Sequence, residues 1–266
     1  MPERPVILIT GASSGIGEET ARLFANQGFR VAMGARRLDR LESLAEEIRQ
    51  IGGEALPVSA DLTKLDDIRR LVQKTLDRFG QIDVLLNNAG FGHLGWLEDL
   101  DPVLDIQAQL QLNLVAVIQT AREVLPNMIE RRSGHIINMA SVAGLVASPT
   151  YSVYAASKFG MRGFSEALRR EVGVFGIHVS TLYPGGVRTE FKAHTGAQRK
   201  TGSTTPDWLR LEPEEVARAV LKLVEHPRRQ QILPWVYYIP LWTNSLFPWL
   251  ADWLLERKFT RPERGI

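Results

Sequence analysis

The chain contains no cysteine. Disulfide bridges, thiol catalysis and cysteine-ligated metal sites are therefore excluded, and the composition suits a reducing compartment such as the cytoplasm. The net charge is also small. The chain has 32 Lys and Arg residues and 30 Asp and Glu residues, which gives a net charge of +2. This balance gives no support to a nucleic-acid partner, which selects a strongly basic surface. The five histidines show no metal-ligand spacing, so we expect no metal site.

A long apolar run is missing from the N-terminal region. The run VILI is too short for the apolar core of a signal peptide, and glycines follow it at once. We therefore expect no signal peptide and a cytoplasmic location. The length of 266 residues, with 44% hydrophobic and 23% charged residues, suits one globular domain with a sizeable core.

Short apolar runs alternate with segments of helical periodicity along the chain. We predict strands at 5–10, 29–35, 55–58, 82–86, 134–140, 177–183 and 230–233, and helices at 15–27, 38–51, 64–79, 103–131, 151–174 and 213–225. This alternation predicts an α/β fold, in which helices cover both faces of a parallel sheet of about seven strands. The stretch 186–212 lacks a clear period, and we expect it to form a lid or substrate loop beyond a strand end.

A glycine-rich turn follows the first predicted strand. PVILIT runs directly into GASSGIG, and a helical pattern begins there. Glycines at such a turn let the backbone approach a ligand, and the helix N-terminus offers N–H groups and a partial positive charge to a pyrophosphate. The order of strand, glycines and helix favours a nucleotide site over an ordinary turn.

Tyr154 and Lys158 lie four residues apart, and Ser141 precedes the tyrosine by thirteen residues. Residues four apart share one face of a helix, so the lysine charge lies beside the phenol and should lower its pKa. A phenol tuned in this way can act as a general acid or base. The serine hydroxyl can hold a carbonyl oxygen against it. Such a pair alone is common on helix surfaces, and the other motifs give it weight.

Six motifs occur in the order and spacing of one enzyme family. They are TGASSGIG at 10–17, NNAG at 87–90, Asn113, Ser141, YAASK at 154–158 and PGGVRT at 184–189. Over about residues 4–225 the chain resembles the short-chain dehydrogenase/reductase family. The resemblance implies an NAD(P)-dependent oxidoreductase in which a Rossmann-type domain spans 1–229. It also implies a homo-oligomer, either a dimer or a tetramer.

The resemblance implies a catalytic tetrad of Asn113, Ser141, Tyr154 and Lys158. Tyr154 is the acid in reduction and the base in oxidation, Lys158 also holds the nicotinamide ribose, and Asn113 holds a water in a proton relay.

The implied cofactor-binding positions form four groups. These are Gly11, Ser13, Ser14, Gly15, Ile16 and Gly17 at the pyrophosphate; Asp61 and Leu62 beside the adenine; Asn87, Ala89 and Gly90 at the ribose; and Pro184, Gly185, Val187 and Thr189 at the nicotinamide, together with Tyr154 and Lys158.

The end of the second strand bears on cofactor choice. NAD-dependent Rossmann enzymes usually carry a carboxylate there for the ribose hydroxyls, whereas this chain has Ala35 followed by Arg36 and Arg37. Guanidinium groups bind phosphate, so we expect NADP (NADPH), with Arg36 ahead of Arg37 and Ser13 as a further ligand. The alternative is that both arginines solvate the start of a helix.

The C-terminal region, 230–266, departs from the family pattern. It is an apolar extension that holds Trp235, Trp242, Trp249 and Trp253, with basic residues before and after it. Pro234, Pro240 and Pro248 break its apolar run, so it is too interrupted for a spanning helix. Two interpretations remain open: an interfacial segment on a membrane, or packing against a partner subunit or over the substrate cleft. Either one favours a lipophilic substrate.

The sequence therefore predicts an NADP-dependent oxidoreductase that interconverts a ketone or aldehyde and an alcohol. A second hypothesis is a nucleotide-binding interaction module anchored by its C-terminal extension. The presence of Ser141, Tyr154 and Lys158 together favours the enzyme, because an interaction module does not need them.

Overall fold

Seven parallel strands form the centre of the computed structural model, which describes residues 4–191 and 205–266. The strands are β1 Val6–Thr10, β2 Arg30–Ala35, β3 Glu54–Ser59, β4 Val84–Asn87, β5 Gly134–Met139, β6 Ile177–Pro184 and β7 Gln230–Leu233. They lie in the order β3-β2-β1-β4-β5-β6-β7, and every neighbouring pair is parallel. The predicted doubly wound, Rossmann-type α/β fold is confirmed.

Helices connect the strands and cover both faces of the sheet. They are α1 Gly15–Asn26, α2 Leu38–Gln50, α3 Leu65–Phe79, α4 Ala108–Leu110, α5 Ala116–Arg131, α6 Ser152–Val172 and α7 Pro213–Glu225. The sequence predicts one helix at 103–131. The structure instead has two π-helical stretches in this region, Pro102–Gln107 and Gln111–Val115, on either side of α4. Such widened turns re-aim side chains and are frequent at functional sites.

The two sheet faces build two separate cores. Along β1, Ile7 and Ile9 belong to a cluster that includes Phe24 of α1 and residues of α2 and α7. Val6 and Leu8 belong to the opposite cluster, which is completed by α3, α5 and α6. Alternate residues of a strand point to opposite faces, which is why β1 reads as a continuous apolar run. Burial on both faces therefore fixes this strand in the middle of the sheet.

The strand order reverses between β1 and β4. The chain builds outward from β1 to β3, then returns to place β4 on the other side of β1. Ligands of such sheets bind in the crevice outside the carboxyl ends of the strands at this reversal. The glycine-rich turn after β1 and the NNAG segment at the end of β4 both lie at this crevice.

The chain leaves the sheet after Leu233 and continues as short helices. These are α8 Tyr238–Leu246, α9 Pro248–Leu255, a π-helical turn Glu256–Thr260 and α10 Arg261–Arg264. Tyr237, Tyr238 and Leu241 pack against a cluster that contains Leu145 and Tyr183. The C-terminal segment is thereby attached to the carboxyl end of the sheet. In the predicted lid, 186–212, the residues 192–204 lie outside the described residues.

Candidate active site

The glycine-rich turn after β1 adopts a conformation that only small residues allow. Gly11 has φ of 70° and Gly15 has φ of 57°, in the left-handed region that glycine favours. A Cβ at Gly11 would lie 2.8 Å from the Cα of Ala89, and one at Gly15 would lie 2.9 Å from a methyl carbon of Thr189. The turn is therefore held against the loops that follow β4 and β6, with no space for larger side chains.

Thr10 and Asn88 tie this turn to the end of β4, and the sequence analysis missed both. The Thr10 hydroxyl accepts the N–H groups of Asn88 and Ala89 at 3.0 and 3.2 Å. The Asn88 side-chain amide donates to the carbonyl oxygens of Thr10 and Gly11, both at 3.1 Å. The signal was available, since both residues belong to motifs that the sequence analysis quoted. Their role is to hold two neighbouring loops at the crevice.

Arg37, rather than Arg36, contacts the glycine-rich turn. Its guanidinium donates to the Ser14 hydroxyl at 2.7 Å and to the Ser13 hydroxyl at 3.2 Å. It also pairs with Glu190 at 2.9 Å. Arg36 is exposed, and within the described part of the chain it makes no hydrogen bond or ion pair. The two arginines thus differ, because Arg37 is occupied by protein groups and Arg36 is available to a ligand.

Ser14 is the N-cap residue of α1, the position from which a side chain usually accepts a backbone N–H. Its side chain makes no such cap bond, and its hydroxyl accepts from Arg37 instead. Next to it, Ile16 packs on the core and Gly17 is buried in the first helical turn. The first N–H groups of α1 therefore have no side-chain acceptor from the cap position, which suits a bound anion.

Asp61 and Leu62 follow β3. One carboxylate oxygen of Asp61 accepts from the hydroxyl and the N–H of Thr63 at 2.7 and 3.1 Å, so the side chain shapes the turn that precedes α3. Leu62 is buried in the core beside α3. Any contact between Leu62 and a nucleotide would therefore have to use its backbone.

Asn87 at the end of β4 belongs to a buried polar chain across the sheet. Its amide donates to Asn138 at 2.9 Å, and Asn138 donates to Ser165 of α6 at 2.8 Å. These contacts favour the structural reading of Asn87 over a ribose contact through its side chain. Ala89 and Gly90 continue into the crevice, and a Cβ at Gly90 would lie 2.9 Å from the side-chain oxygen of Asn113.

The segment after β6 crosses the same crevice. Pro184 ends β6, and the N–H of Gly185 donates to the carbonyl oxygen of Leu233 at 2.7 Å. The Tyr237 ring packs so closely on Gly185 that a side chain there would collide with it. Val187 forms an isolated parallel bridge with Leu211. Thr189 then lies beside Gly15 of the first turn, so the predicted pyrophosphate and nicotinamide segments are neighbours.

Tyr154, Ser141 and Lys158 meet at the carboxyl ends of β4 and β5. Ser141 begins a short 3-10 turn, its hydroxyl accepts the N–H of Ala143 at 3.2 Å, and it lies close enough to Tyr154 to influence the pKa of the phenol. Lys158 lies one turn after Tyr154 in α6, with its Nζ 5.7 Å from the centroid of the tyrosine ring. That ammonium donates to the carbonyl oxygen of Met139 at 2.9 Å. The structure therefore brings the three predicted catalytic side chains together.

Burial decides the protonation of this pair. It raises the pKa of Tyr154 to about 12, and the hydrogen bond with Ser141 opposes that rise only in part. It also lowers the pKa of Lys158 to about 8. The prediction that Lys158 lowers the tyrosine pKa is wrong in this structure, because removal from water raises that pKa and the Lys158 ammonium is directed at Met139. At neutral pH the phenol keeps its proton, and the ammonium is mostly charged.

Asn113 is fully buried in the π-helical stretch Gln111–Val115. Its side chain donates to the carbonyl oxygen of Phe91 at 2.7 Å and accepts the N–H of Phe91 at 3.0 Å. Its second amide proton is directed at the Ser157 hydroxyl at 3.3 Å. The side chain thus ties the loop after β4 to α6. Its role in a proton relay stays a prediction.

Apolar and aromatic side chains surround the tyrosine. Tyr154 clusters with Leu94, Ala143, Tyr151 and Phe191. The ring centroids of Phe191 and Tyr151 lie 5.9 and 6.2 Å from that of Tyr154. A molecule that reaches the Tyr154 hydroxyl therefore has apolar walls on several sides.

The residues of the crevice fit a nicotinamide dinucleotide. The φ values of Gly11 and Gly15 close the turn tightly against neighbouring loops, next to a helix N-terminus whose cap side chain accepts no backbone N–H. Arg36 supplies an exposed cation at the end of β2. At the other end of the crevice, Tyr154 and Lys158 stand where the reactive part of such a cofactor would meet a substrate.

The short chain dehydrogenase family model matches residues 5–200. The chain belongs to this family. An uncharacterized oxidoreductase of Staphylococcus saprophyticus is 36% identical over 231 residues, which are 85% of this chain and 92% of the relative. The 3-oxoacyl-[acyl-carrier-protein] reductase of Thermotoga maritima is 36% identical over 228 residues, which are 83% and 90% of the two chains.

Among solved structures, an alcohol dehydrogenase from the archaeon Thermococcus sibiricus superposes with a TM-score of 0.78 at 31% identity. The match covers 88% of this chain and 98% of that enzyme, which was solved in complex with 5-hydroxy-NADP. The chain is thus a short-chain dehydrogenase with oxidoreductase relatives. The sequence resemblance to this family is confirmed.

Proposed function

We propose that this short-chain dehydrogenase interconverts a ketone or aldehyde and an alcohol with NADP(H), and that its substrate is apolar. The observation that carries the proposal is the Tyr154 site: a buried phenol beside Ser141, with the Lys158 ammonium 5.7 Å from its ring and apolar side chains around it. The relatives support it, since their names include a reductase and an alcohol dehydrogenase.

The bound nicotinamide would supply or accept the hydride. In reduction the Tyr154 hydroxyl donates its proton to the carbonyl oxygen of the substrate as the carbon becomes saturated. With a pKa of about 12, Tyr154 is in its protonated form at neutral pH, which is the form that donates in reduction. Ser141 orients the substrate oxygen, and the positive charge of Lys158 lies 5.7 Å from the ring of the phenolate that remains. In oxidation the same proton moves in the opposite direction.

The preference for NADP rests on the end of β2. Ala35 offers no carboxylate that would repel a 2′-phosphate, and Arg36 is an exposed cation directly after β2. The archaeal relative with 5-hydroxy-NADP supports this cofactor. The dimer or tetramer implied by the family resemblance stays a prediction.

Turnover of NADPH against a panel of carbonyl compounds tests the proposal, and the panel should include steroids, retinoids, long-chain aldehydes and 3-oxoacyl esters. Tyr154→Phe should bind NADPH but lose kcat by about 100-fold or more, the usual contribution of a general acid. Tyr151→Phe is the matched control, because this second tyrosine lies 6.2 Å away in the same cluster. It should retain turnover.

Two outcomes would overturn the assignment. A Tyr154→Phe variant that keeps more than about a tenth of kcat would exclude Tyr154 as the proton donor. Tight NADPH binding with no turnover of any member of the panel would favour the nucleotide-binding interaction module instead.

A further inference from the structure

A stripe of large apolar side chains runs along the outside of the C-terminal segment. Its members recur at intervals of four and three residues, which is the spacing of one helix face. We call these residues the outer stripe: Trp235, Ile239, Trp242, Leu246, Trp249 and Trp253. All of them are between 50% and 72% exposed. The chain breaks between α8 and α9 at Phe247, and exposed apolar residues recur at the same spacing in α9.

The opposite face of the segment already has a partner within the molecule. Tyr237, Tyr238 and Leu241 pack against the core cluster beside β6. At its far end Arg264 pairs with Glu98 at 2.7 Å and lies 3.9 Å from the centroid of the Trp96 ring. The segment is thus anchored at both ends, and the outer stripe is the face that this anchoring leaves uncovered. α8 and α9 contain no buried residue.

The segment that carries the outer stripe is uncharged along most of its length and has exposed cations near its C-terminal end. No charged residue occurs from Gln230 to Ala251, and Asp252 is the one acid before the turn Glu256–Thr260. In that turn Glu256 pairs with Arg261 at 2.7 Å. Arg257 and Lys258 are exposed and have no ion pair in the described part of the chain, and Arg257 lies 5.5 Å from the centroid of the Trp253 ring. The apolar surface is therefore bordered by two available cations.

We propose that the outer stripe binds the surface of an anionic lipid membrane. Tryptophan is enriched at membrane interfaces, and apolar residues with neighbouring cations suit a segment that lies in the headgroup region. In the described ranges no helix is both long and apolar enough to cross a bilayer, so the segment would lie on the membrane rather than span it.

The contact would bring the catalytic cleft to the lipid surface. Tyr237 of the anchored face packs on Gly185, which belongs to the loop that crosses the crevice. Trp96 and Glu98, which hold the far end, belong to the loop after β4 that also carries Leu94 of the Tyr154 cluster. The lipid contact is independent of the reaction that the site performs, and its test uses binding alone.

Flotation of the full-length chain with vesicles tests the proposal. The vesicles are phosphatidylcholine alone and phosphatidylcholine with phosphatidylglycerol at about 3:1. We expect the chain to float with the anionic vesicles and to show quenching of tryptophan fluorescence by brominated lipid. Trp242→Ser with Trp249→Ser should lower binding by about tenfold or more, because both side chains would enter the interface. Arg257→Gln with Lys258→Gln should lower binding to the anionic vesicles selectively.

Val174→Ser is the matched control. Val174 is 70% exposed but lies in the turn before β6, at the opposite end of the sheet from the C-terminal segment. This variant should float like the original chain. The tryptophan variant should keep the thermal unfolding midpoint of the original chain, since the replaced side chains are 66% and 68% exposed.

Sedimentation without lipid tests whether the outer stripe instead binds a second copy of the chain. A chain that fails to float, and whose oligomer is lost in the tryptophan variant, would show that the stripe binds a second copy. Flotation that survives the tryptophan substitutions would show that lipid binds elsewhere. A chain that neither floats nor changes its oligomeric state would also overturn the proposal.

Discussion

Glu190 and Arg37 form an ion pair of 2.9 Å that links the loop after β6 to the end of β2. The other carboxylate oxygen of Glu190 lies 2.8 Å from Arg40. These two arginines, Arg40 first, lower the pKa of Glu190 to about 2, so the carboxylate is charged at any pH where the enzyme is expected to work. An anion of the protein thus lies beside the expected place of the cofactor's 2′-phosphate.

Glu190→Gln should raise the affinity for NADPH a few-fold and leave the affinity for NADH nearly unchanged. Removal of the carboxylate removes a like charge from the neighbourhood of the 2′-phosphate, and exposed charge interactions are individually weak. Fluorescence titration with both cofactors measures the change. Glu46→Gln is the control, because Glu46 forms a similar exposed pair with Arg49 at 2.8 Å on α2. A fall in NADPH affinity would show that Glu190 positions Arg37 rather than competing with phosphate.

Arg36→Asp should shift the preference from NADP toward NAD. A lost charge-assisted hydrogen bond costs roughly 1.5–3 kcal/mol, so NADPH affinity should fall about ten- to a hundredfold while NADH binding changes little. Arg37→Asp is the informative comparison. It removes the contacts to Ser13 and Ser14, so it should weaken both cofactors. If only the Arg37 variant changes the NADP/NAD ratio, the 2′-phosphate is held by Arg37.

The pKa of Lys158 predicts how activity depends on pH. kcat/KM for NADPH reports groups of the free enzyme, and it should decline as pH rises through about 8, where Lys158 loses its proton. Lys158→Arg keeps the charge at high pH and should lack this decline, although its activity will be lower. The pH profile of both enzymes measures the effect. A decline that persists unchanged in the arginine variant would assign the titration to another group.

The lowered pKa of Lys158 also makes the free energy of unfolding depend on pH. Its folded pKa of about 8 lies below the ordinary value of 10.5, so the unfolded chain binds more protons between these values. Stability should therefore rise with pH across this window. Lys158→Met should lack the rise and should be more stable at pH 7, by on the order of 3 kcal/mol. Denaturant unfolding at pH 7 and pH 10 compares the two chains. Equal stabilities at pH 7 would contradict the prediction.

Asn113→Ala should destabilise the protein as well as slow the reaction. It removes both hydrogen bonds to the Phe91 backbone, and buried groups left without a partner cost about 1–3 kcal/mol each. The thermal unfolding midpoint and kcat should therefore fall together. Ser157→Ala is the comparison, since it keeps both bonds to Phe91 and removes the 3.3 Å contact to Asn113 together with the bond from the Ser157 hydroxyl to the carbonyl oxygen of Tyr154. A variant with reduced kcat but unchanged stability would favour the relay role over the structural tie.

Local patterns were sufficient for the architecture and for the composition of the site. Apolar runs such as Val6–Thr10 can be buried on both faces only inside a parallel sheet, and the glycines after that strand permit the φ values that the turn adopts. The four-residue spacing of Tyr154 and Lys158 places them on one helix face without any knowledge of the fold. These features depend on residues close together in the chain.

Long-range contacts decided what the sequence could not. The pKa of Tyr154 is raised because the folded chain buries the phenol, and no local spacing encodes burial. The different surroundings of Arg36 and Arg37 depend on Glu190, more than 150 residues further along the chain. Asn113 connects two segments because the fold places the backbone of Phe91 against its side chain. Composition marked the C-terminal segment as apolar, but only its packing through Tyr237 and Leu241 determined which face stays uncovered.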